Sequence, residues 1–230
     1  MEKTKDVTII LVHGAWADGS QWRKVIPAIQ KAGYLVRSVQ LSLSSVEDDV
    51  AKTVDMIEAA ESKVLLVGHS YGGVVITSAG NHQKVLGMVY LAAFAPDEGE
   101  SLGMLLAKKQ SYGAENIYPD QNGFLWLKEE KFHSSLCKDL EVEKALILAA
   151  CQRPLHSICT TSEMSNPAWR NKKCWYQISN ADQILPAETQ KEMTERMSPE
   201  EILDLHTGHL SMLSKPQQTS SFILKAASSL

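Results

Sequence analysis

Three stretches of the chain are nearly unbroken apolar runs: Val7 to Val12, Val64 to Val67, and Val85 to Phe94. Runs of this length, rich in β-branched residues, predict strands buried on both faces, as in a parallel sheet. Leu35 to Leu41 reads as a further strand. Helical spacing fills the gaps. Trp22, Val25, Ile26 and Ile29 fall on one side of Gln21 to Lys31, with Ser20 as N-cap and Gly33 as stop. Val50, Val54 and Ile57 form the inward face of a helix from Val46 to Ala60, and a second buried helix follows from Tyr71 to Asn81. Strands alternating with helices predict βαβ units around a parallel sheet.

The pattern lapses after Ala95-Pro96-Asp97. From Glu98 to about Arg170 no clear strand stands out. Helical stretches at Ser101 to Lys109 and Val142 to Cys151, with aromatics at Tyr112, Tyr118, Phe124, Trp126 and Phe132, read as a helical cap over the sheet. Such aromatics pack a cap onto a core, and together they can line an apolar pocket. Strand character returns at Cys174 to Ser179. The loop Asn180 to Pro186, a helix Ala187 to Met197, a short strand Glu201 to Leu205 and a helix Pro216 to Ala227 follow. The fold class expected is α/β: one domain over 1–230, a mostly parallel sheet flanked by helices, with a helical cap insertion at about 98–170.

Composition narrows the function. With 44% hydrophobic and 22% charged residues, the 230-residue chain can bury a sizeable core. A net charge of −4 gives no reason to expect nucleic acid or an anionic membrane as partner. No run approaches the roughly 18 apolar residues of a membrane span. The charged start, Met1 to Asp6, leads straight into a strand and does not read as a signal peptide. Cys137, Cys151, Cys159 and Cys174 form no C-x-x-C pair and lack histidines at zinc-finger spacing, so they read as reduced thiols and not as metal ligands. A cytoplasmic location is expected.

The chemistry centres on Gly68-His69-Ser70-Tyr71-Gly72, a G-x-S-x-G pattern between an apolar strand and a helix. The spacing has a physical reason. A serine that stands clear of its backbone must occupy the tip of a very tight turn, where strand and helix nearly collide on either side. Gly68 and Gly72 carry no side chains to collide. A serine hydroxyl also needs a base, an acid to orient the base, and donors for the oxyanion. After this turn the partners follow in the order serine, acid, histidine, each on a loop after a strand. Ser70, Asp182 and His209 satisfy that order. Asp97 and His206 are the competing acid and base. The oxyanion donors expected are the amides of Tyr71 and Ala15, with Gly14 allowing the sharp turn and His13 bracing the loop. Trp16 is a pocket wall or a packing residue. Trp16, Tyr71 and Trp126 are the candidate substrate-binding residues.

These stretches resemble the α/β-hydrolase superfamily over nearly the whole chain. The likeness is to its compact branch of plant methyl esterases, hydroxynitrile lyases and small bacterial esterases. The matching segments are Leu11-Val12-His13-Gly14-Ala15-Trp16, Gly68 to Gly73, Ala181 to Pro186, and Gly208-His209-Leu210-Ser211-Met212-Leu213-Ser214-Lys215-Pro216. The last supports His209 over His206. The resemblance implies a parallel sheet with a helical cap, no metal and no organic cofactor. The lyases carry a threonine where this chain has Gly14 and a lysine where it has Leu210, which favours ester hydrolysis over cyanohydrin cleavage. The reaction expected is cleavage of small to medium carboxylic esters through an acyl-enzyme, by a monomer or homodimer. A lyase or cofactor-free haloperoxidase on the same scaffold, and a binding protein without turnover, are the alternatives.

Overall fold

A computed structural model describes residues 6–230; the charged start, Met1 to Lys5, lies outside them. The sheet begins with β1 (Val7–Val12), whose Ile9 to Val12 are wholly buried. A 3-10 turn at Gly19–Trp22 and helix α1 (Ile26–Lys31) come next. The single helix expected over Gln21 to Lys31 is therefore broken in two. Pro27 is the reason: it has no N–H to give and fits only in a first turn, so the helix restarts at Ile26. Then come β2 (Leu35–Val39), α2 (Val46–Glu58), β3 (Lys63–His69), α3 (Gly72–Ala79) and β4 (Val85–Leu91). Both β2 and β4 stop sooner than expected. Ala92 turns to φ +42°, which ends β4, and the Leu41 amide turns from the sheet to the His13 ring.

The segment laid over the sheet contains α4 (Leu102–Ala107), β5 (Ile117–Pro119), β6 (Phe124–Leu127), α5 (Glu129–Leu136), α6 (Val142–Ala150) and β7 (Leu155–His156). A purely helical cap was expected; instead β5, β6 and β7 form a small antiparallel sheet. Its hairpin turns on Asp120-Gln121-Asn122-Gly123. The Asp120 carboxylate accepts the amides of Asn122 (2.8 Å) and Phe124 (2.9 Å), and Gly123 takes φ +81°. An Asn-Gly pair ahead of apolar residues is itself a hairpin signal. Arg170 ties the two stems of this segment together, pairing with Asp97 (2.5 Å) and Glu98 (2.9 Å).

The chain closes with β8 (Lys173–Ser179), α7 (Ala187–Met197), β9 (Glu201–Leu205), α8 (Ser211–Ser214) and α9 (Pro216–Ser228). The large sheet is parallel throughout, in the order β2-β1-β3-β4-β8-β9. From β1 the chain winds outward to β2, then crosses back to β3 and onward to β9. The reversal opens a crevice at the carboxyl ends of β1 and β3, where ligands bind in open α/β sheets. An ideal Cβ on Gly68 would stand 2.7 Å from the Gly72 carbonyl oxygen. Gly68→Ala should therefore destabilise the fold by about 1–3 kcal/mol, seen as a lower urea midpoint at unchanged slope.

Candidate active site

Ser70 and Tyr71 alone make the turn from β3 to α3. Ser70 adopts φ +53°, a left-handed conformation costly for a residue with a side chain. Its carbonyl holds that shape by accepting the amides of Gly73 (2.9 Å) and Phe94 (3.1 Å). Val12 pairs in register with Gly68, so the residues after β1 lie beside the turn. A Cβ on Gly14 would come within 2.7 Å of the Ser70 Cβ, so only glycine lets the two loops approach this closely. Ala15, Ser70 and Tyr71 face one cavity. Among the described residues, the Ala15 and Tyr71 amides donate to no backbone carbonyl, which leaves both for a ligand oxygen.

His13 lies buried under this loop. Its Nδ1–H donates to the Gly14 carbonyl (2.8 Å) and its Nε2 accepts the Leu41 amide (3.1 Å). Burial pushes its pKa down to about 4, so the ring is neutral. Trp16 is both wall and fastening. It lines the cavity, while its amide donates to the Arg153 carbonyl (2.9 Å) and its indole N–H to the Leu125 carbonyl (2.9 Å). Trp126 is corrected: it does not line the cavity. Alternation along β6 turns Leu125 inward and sends the Trp126 indole to the Asp120 carboxylate (3.0 Å).

Asp182 and His209 meet at the carboxyl ends of β8 and β9. The Asp182 Oδ1 accepts the amides of Ile184 (2.8 Å) and Leu185 (3.0 Å). Its Oδ2 accepts the His209 Nδ1–H (2.6 Å) and the Gln190 side-chain amide (3.3 Å). His209 is 1% exposed. Its Nε2 has no hydrogen-bond partner among the described residues, the Ser70 hydroxyl included. In unliganded enzymes this bond is often long and tightens with substrate. His69, next to Ser70, packs against the His209 ring with centroids 4.6 Å apart and planes tilted by 56°, and donates its Nε2–H to the His209 carbonyl (2.9 Å). Burial holds the His69 pKa well below its ordinary value, so no extra positive charge sits against His209.

The competing residues lie elsewhere. His206 is exposed, and Asp97 is taken up by Arg170. Several supporting groups have no sequence signature. Gln190, fully buried on α7, holds both Asp182 and the Ser179 amide (3.0 Å). Asp139, between α5 and α6, receives the Gly208 amide (2.9 Å) and so fixes the turn before His209.

A strained serine, two free amides and a carboxylate-bound imidazole on one sheet edge are the parts that acyl transfer to serine requires. The chain belongs to the alpha/beta hydrolase family, which matches residues 9–221. It is 41% identical over 113 residues to a carbendazim hydrolyzing esterase from Nocardioides sp. (strain SG-4G), 43% of this chain and 47% of that protein. It thus spans about half the length of that esterase. Methylesterase 1 of Arabidopsis thaliana is 25% identical over 98% of each chain. The crystal structure of a pyrethroid hydrolase from Sphingobium faniae JZ-2 superposes with a TM-score of 0.82 at 23% identity, covering 96% of this chain and 98% of that one.

The neutral state of His13 has a consequence for stability. Between pH 6.5 and about 4 the unfolded chain binds a proton at this residue that the folded chain refuses. Stability is therefore full above pH 6.5 and falls as pH drops through that window, by about 3 kcal/mol in all. Urea titrations across pH 4 to 7 should show this slope, and His13→Asn should reduce it, the buried His69 supplying the remainder.

Proposed function

We propose that Ser70, Asp182 and His209 of this carboxylic-ester hydrolase act as nucleophile, orienting acid and base. The observation that carries this reading is the buried 2.6 Å pair of Asp182 and His209, whose second ring nitrogen is left free. The Ser70 oxygen attacks the acyl carbon and its proton passes to His209 Nε2. The Ala15 and Tyr71 amides hold the oxyanion. His209 then protonates the leaving alcohol, and Asp182 stabilises the imidazolium meanwhile. Water attacks the acyl-enzyme with His209 again as base, and the proton returns to Ser70. Two features support hydrolysis over cyanohydrin cleavage. A side chain at Gly14 would strike Ser70, and position 210 holds a buried leucine.

The cavity supports a short, uncharged group on the ester. Its volume is about 30 Å³, well under the roughly 150 Å³ that holds a benzene ring. The sheet side supplies Ala15, Trp16, Ser70, Tyr71, Phe94 and Ile184; the cap supplies Leu102, Leu106, Ile117, Leu125, Leu155 and Thr160. No charged residue is among them. The polar groups beside Ser70 are already engaged: the Trp16 indole with Leu125, the Tyr71 hydroxyl with Asp49, and the Thr160 hydroxyl with Ser157. The esterase names of its relatives support the same chemistry.

Turnover of p-nitrophenyl acetate should fall on the order of 10⁴-fold or more in both Ser70→Ala and His209→Ala. Wild-type rates in either variant sink the assignment. Along the series from acetate to octanoate kcat/KM should decline, and Leu106→Ala or Leu125→Ala should shift the preference to longer chains. An octanoate ester that equals acetate in the wild type removes the short-group reading.

A further inference from the structure

Asp49 is wholly buried, yet the proposed reaction makes no use of it. It sits in the first turn of α2, where the helix dipole favours negative charge. Its Oδ2 accepts the hydroxyl of Tyr71 (2.9 Å). Its Oδ1 accepts the amides of Ser42 (2.6 Å) and Leu43 (3.1 Å). Burial pushes the carboxyl above its ordinary pKa, while these three donors pull it back. The loop it grips is strained, since Leu43 takes φ +60°. The preceding amide, that of Leu41, is bound by the His13 ring, and the same ring holds the Gly14 carbonyl. Three successive amides of one loop are thus divided between two buried side chains. One of these, His13, braces the stretch that carries the Ala15 amide; the other, Asp49, braces the residue that carries the Tyr71 amide.

We propose that Asp49 is a positioning residue for the oxyanion hole, fixing its two amide donors relative to each other through Tyr71 and the Leu41–Leu43 loop. The carboxylate touches no substrate. It holds the Tyr71 ring from behind, and through the loop it meets the His13 brace of the other donor. The loop also carries the cap, because the Leu43 carbonyl accepts the His156 amide (2.8 Å). Loss of Asp49 leaves both amides in place but frees their spacing, on which stabilisation of a tetrahedral oxyanion depends.

The proposal rests on the esterase reading only for the identity of the hole, and the test reads the hole directly. A fluorophosphonate probe reacts when the Ser70 oxygen displaces fluoride from phosphorus, and its phosphoryl oxygen then occupies the two-amide site. Asp49→Ala should slow labelling about 10–100-fold, less than the ~10²–10³-fold loss of a donor itself. In ester turnover, with rates normalised to active sites counted by exhaustive fluorophosphonate labelling, it should lower kcat with KM little changed, a loss that inactive protein cannot supply. Asp49→Asn should retain most of the rate, because its oxygen still accepts both loop amides and its NH₂ reaches the Tyr71 hydroxyl. Tyr71→Phe should slow labelling by itself but add nothing to Asp49→Ala. Wild-type labelling in Asp49→Ala, or effects of the two substitutions that multiply, would overturn the proposal. Should Asp49→Ala fail to fold, Tyr71→Phe and Asp49→Asn suffice, and wild-type labelling in Tyr71→Phe overturns it. A wild type that is labelled but hydrolyses no ester sinks the esterase and leaves the Asp49 comparison standing.

Discussion

The site exists because the carboxyl ends of β1 and β3 are forced into near contact. Register pairs Val12 with Gly68, so the chain must leave both strands within a few ångströms of itself. Side chains at Gly14, Gly68 or Gly72 would fill the space in which the loops and α3 meet. The strain is stored at Ser70, whose φ of +53° persists because the strands and α3 over-determine it. Hydrogen bonds from Gly73 and Phe94 to its carbonyl keep the hydroxyl turned outward.

The imidazole depends on a different principle. Nothing covalent links β8 to β9 at their ends, yet Asp182 and His209 must meet to a fraction of an ångström. The structure achieves this with backbone and side-chain hydrogen bonds together. Ile184, Leu185 and Gln190 fix the carboxylate, while Leu136, Asp139 and His69 fix the loop bearing the ring. A carboxylate that accepts four donors has little rotational freedom left, so its grip on Nδ1 orients the ring and leaves Nε2 without a partner among the described residues.

The parallel sheet was legible in the sequence because its strands are buried on both faces, which leaves unbroken apolar runs such as Val64 to Val67. The meeting of Asp182 and His209 was legible because each follows a strand and the two strands are neighbours in the sheet. The cap was less so. Its strands are short and half-exposed, and Asn122-Gly123 was the one cue that a hairpin stood there. Trp126 misled because an aromatic looks like a pocket wall, whereas the pleat gave that place to Leu125. Gln190, Asp139 and Asp49 carry no periodic signal. Their partners stand across loops, from six residues away for Asp49 and Leu43 to 69 for Asp139 and Gly208, and only folding brings them together.

Trp16 joins two parts of the molecule that are usually considered apart. Its backbone and its indole are both hooked onto the cap, through Arg153 and Leu125, and its neighbour Ala15 lines the same cavity as Ser70. Raising the roof therefore tugs on the floor. Cap and sheet are thereby fastened through a single side chain, so a change in the hold on either is felt by both.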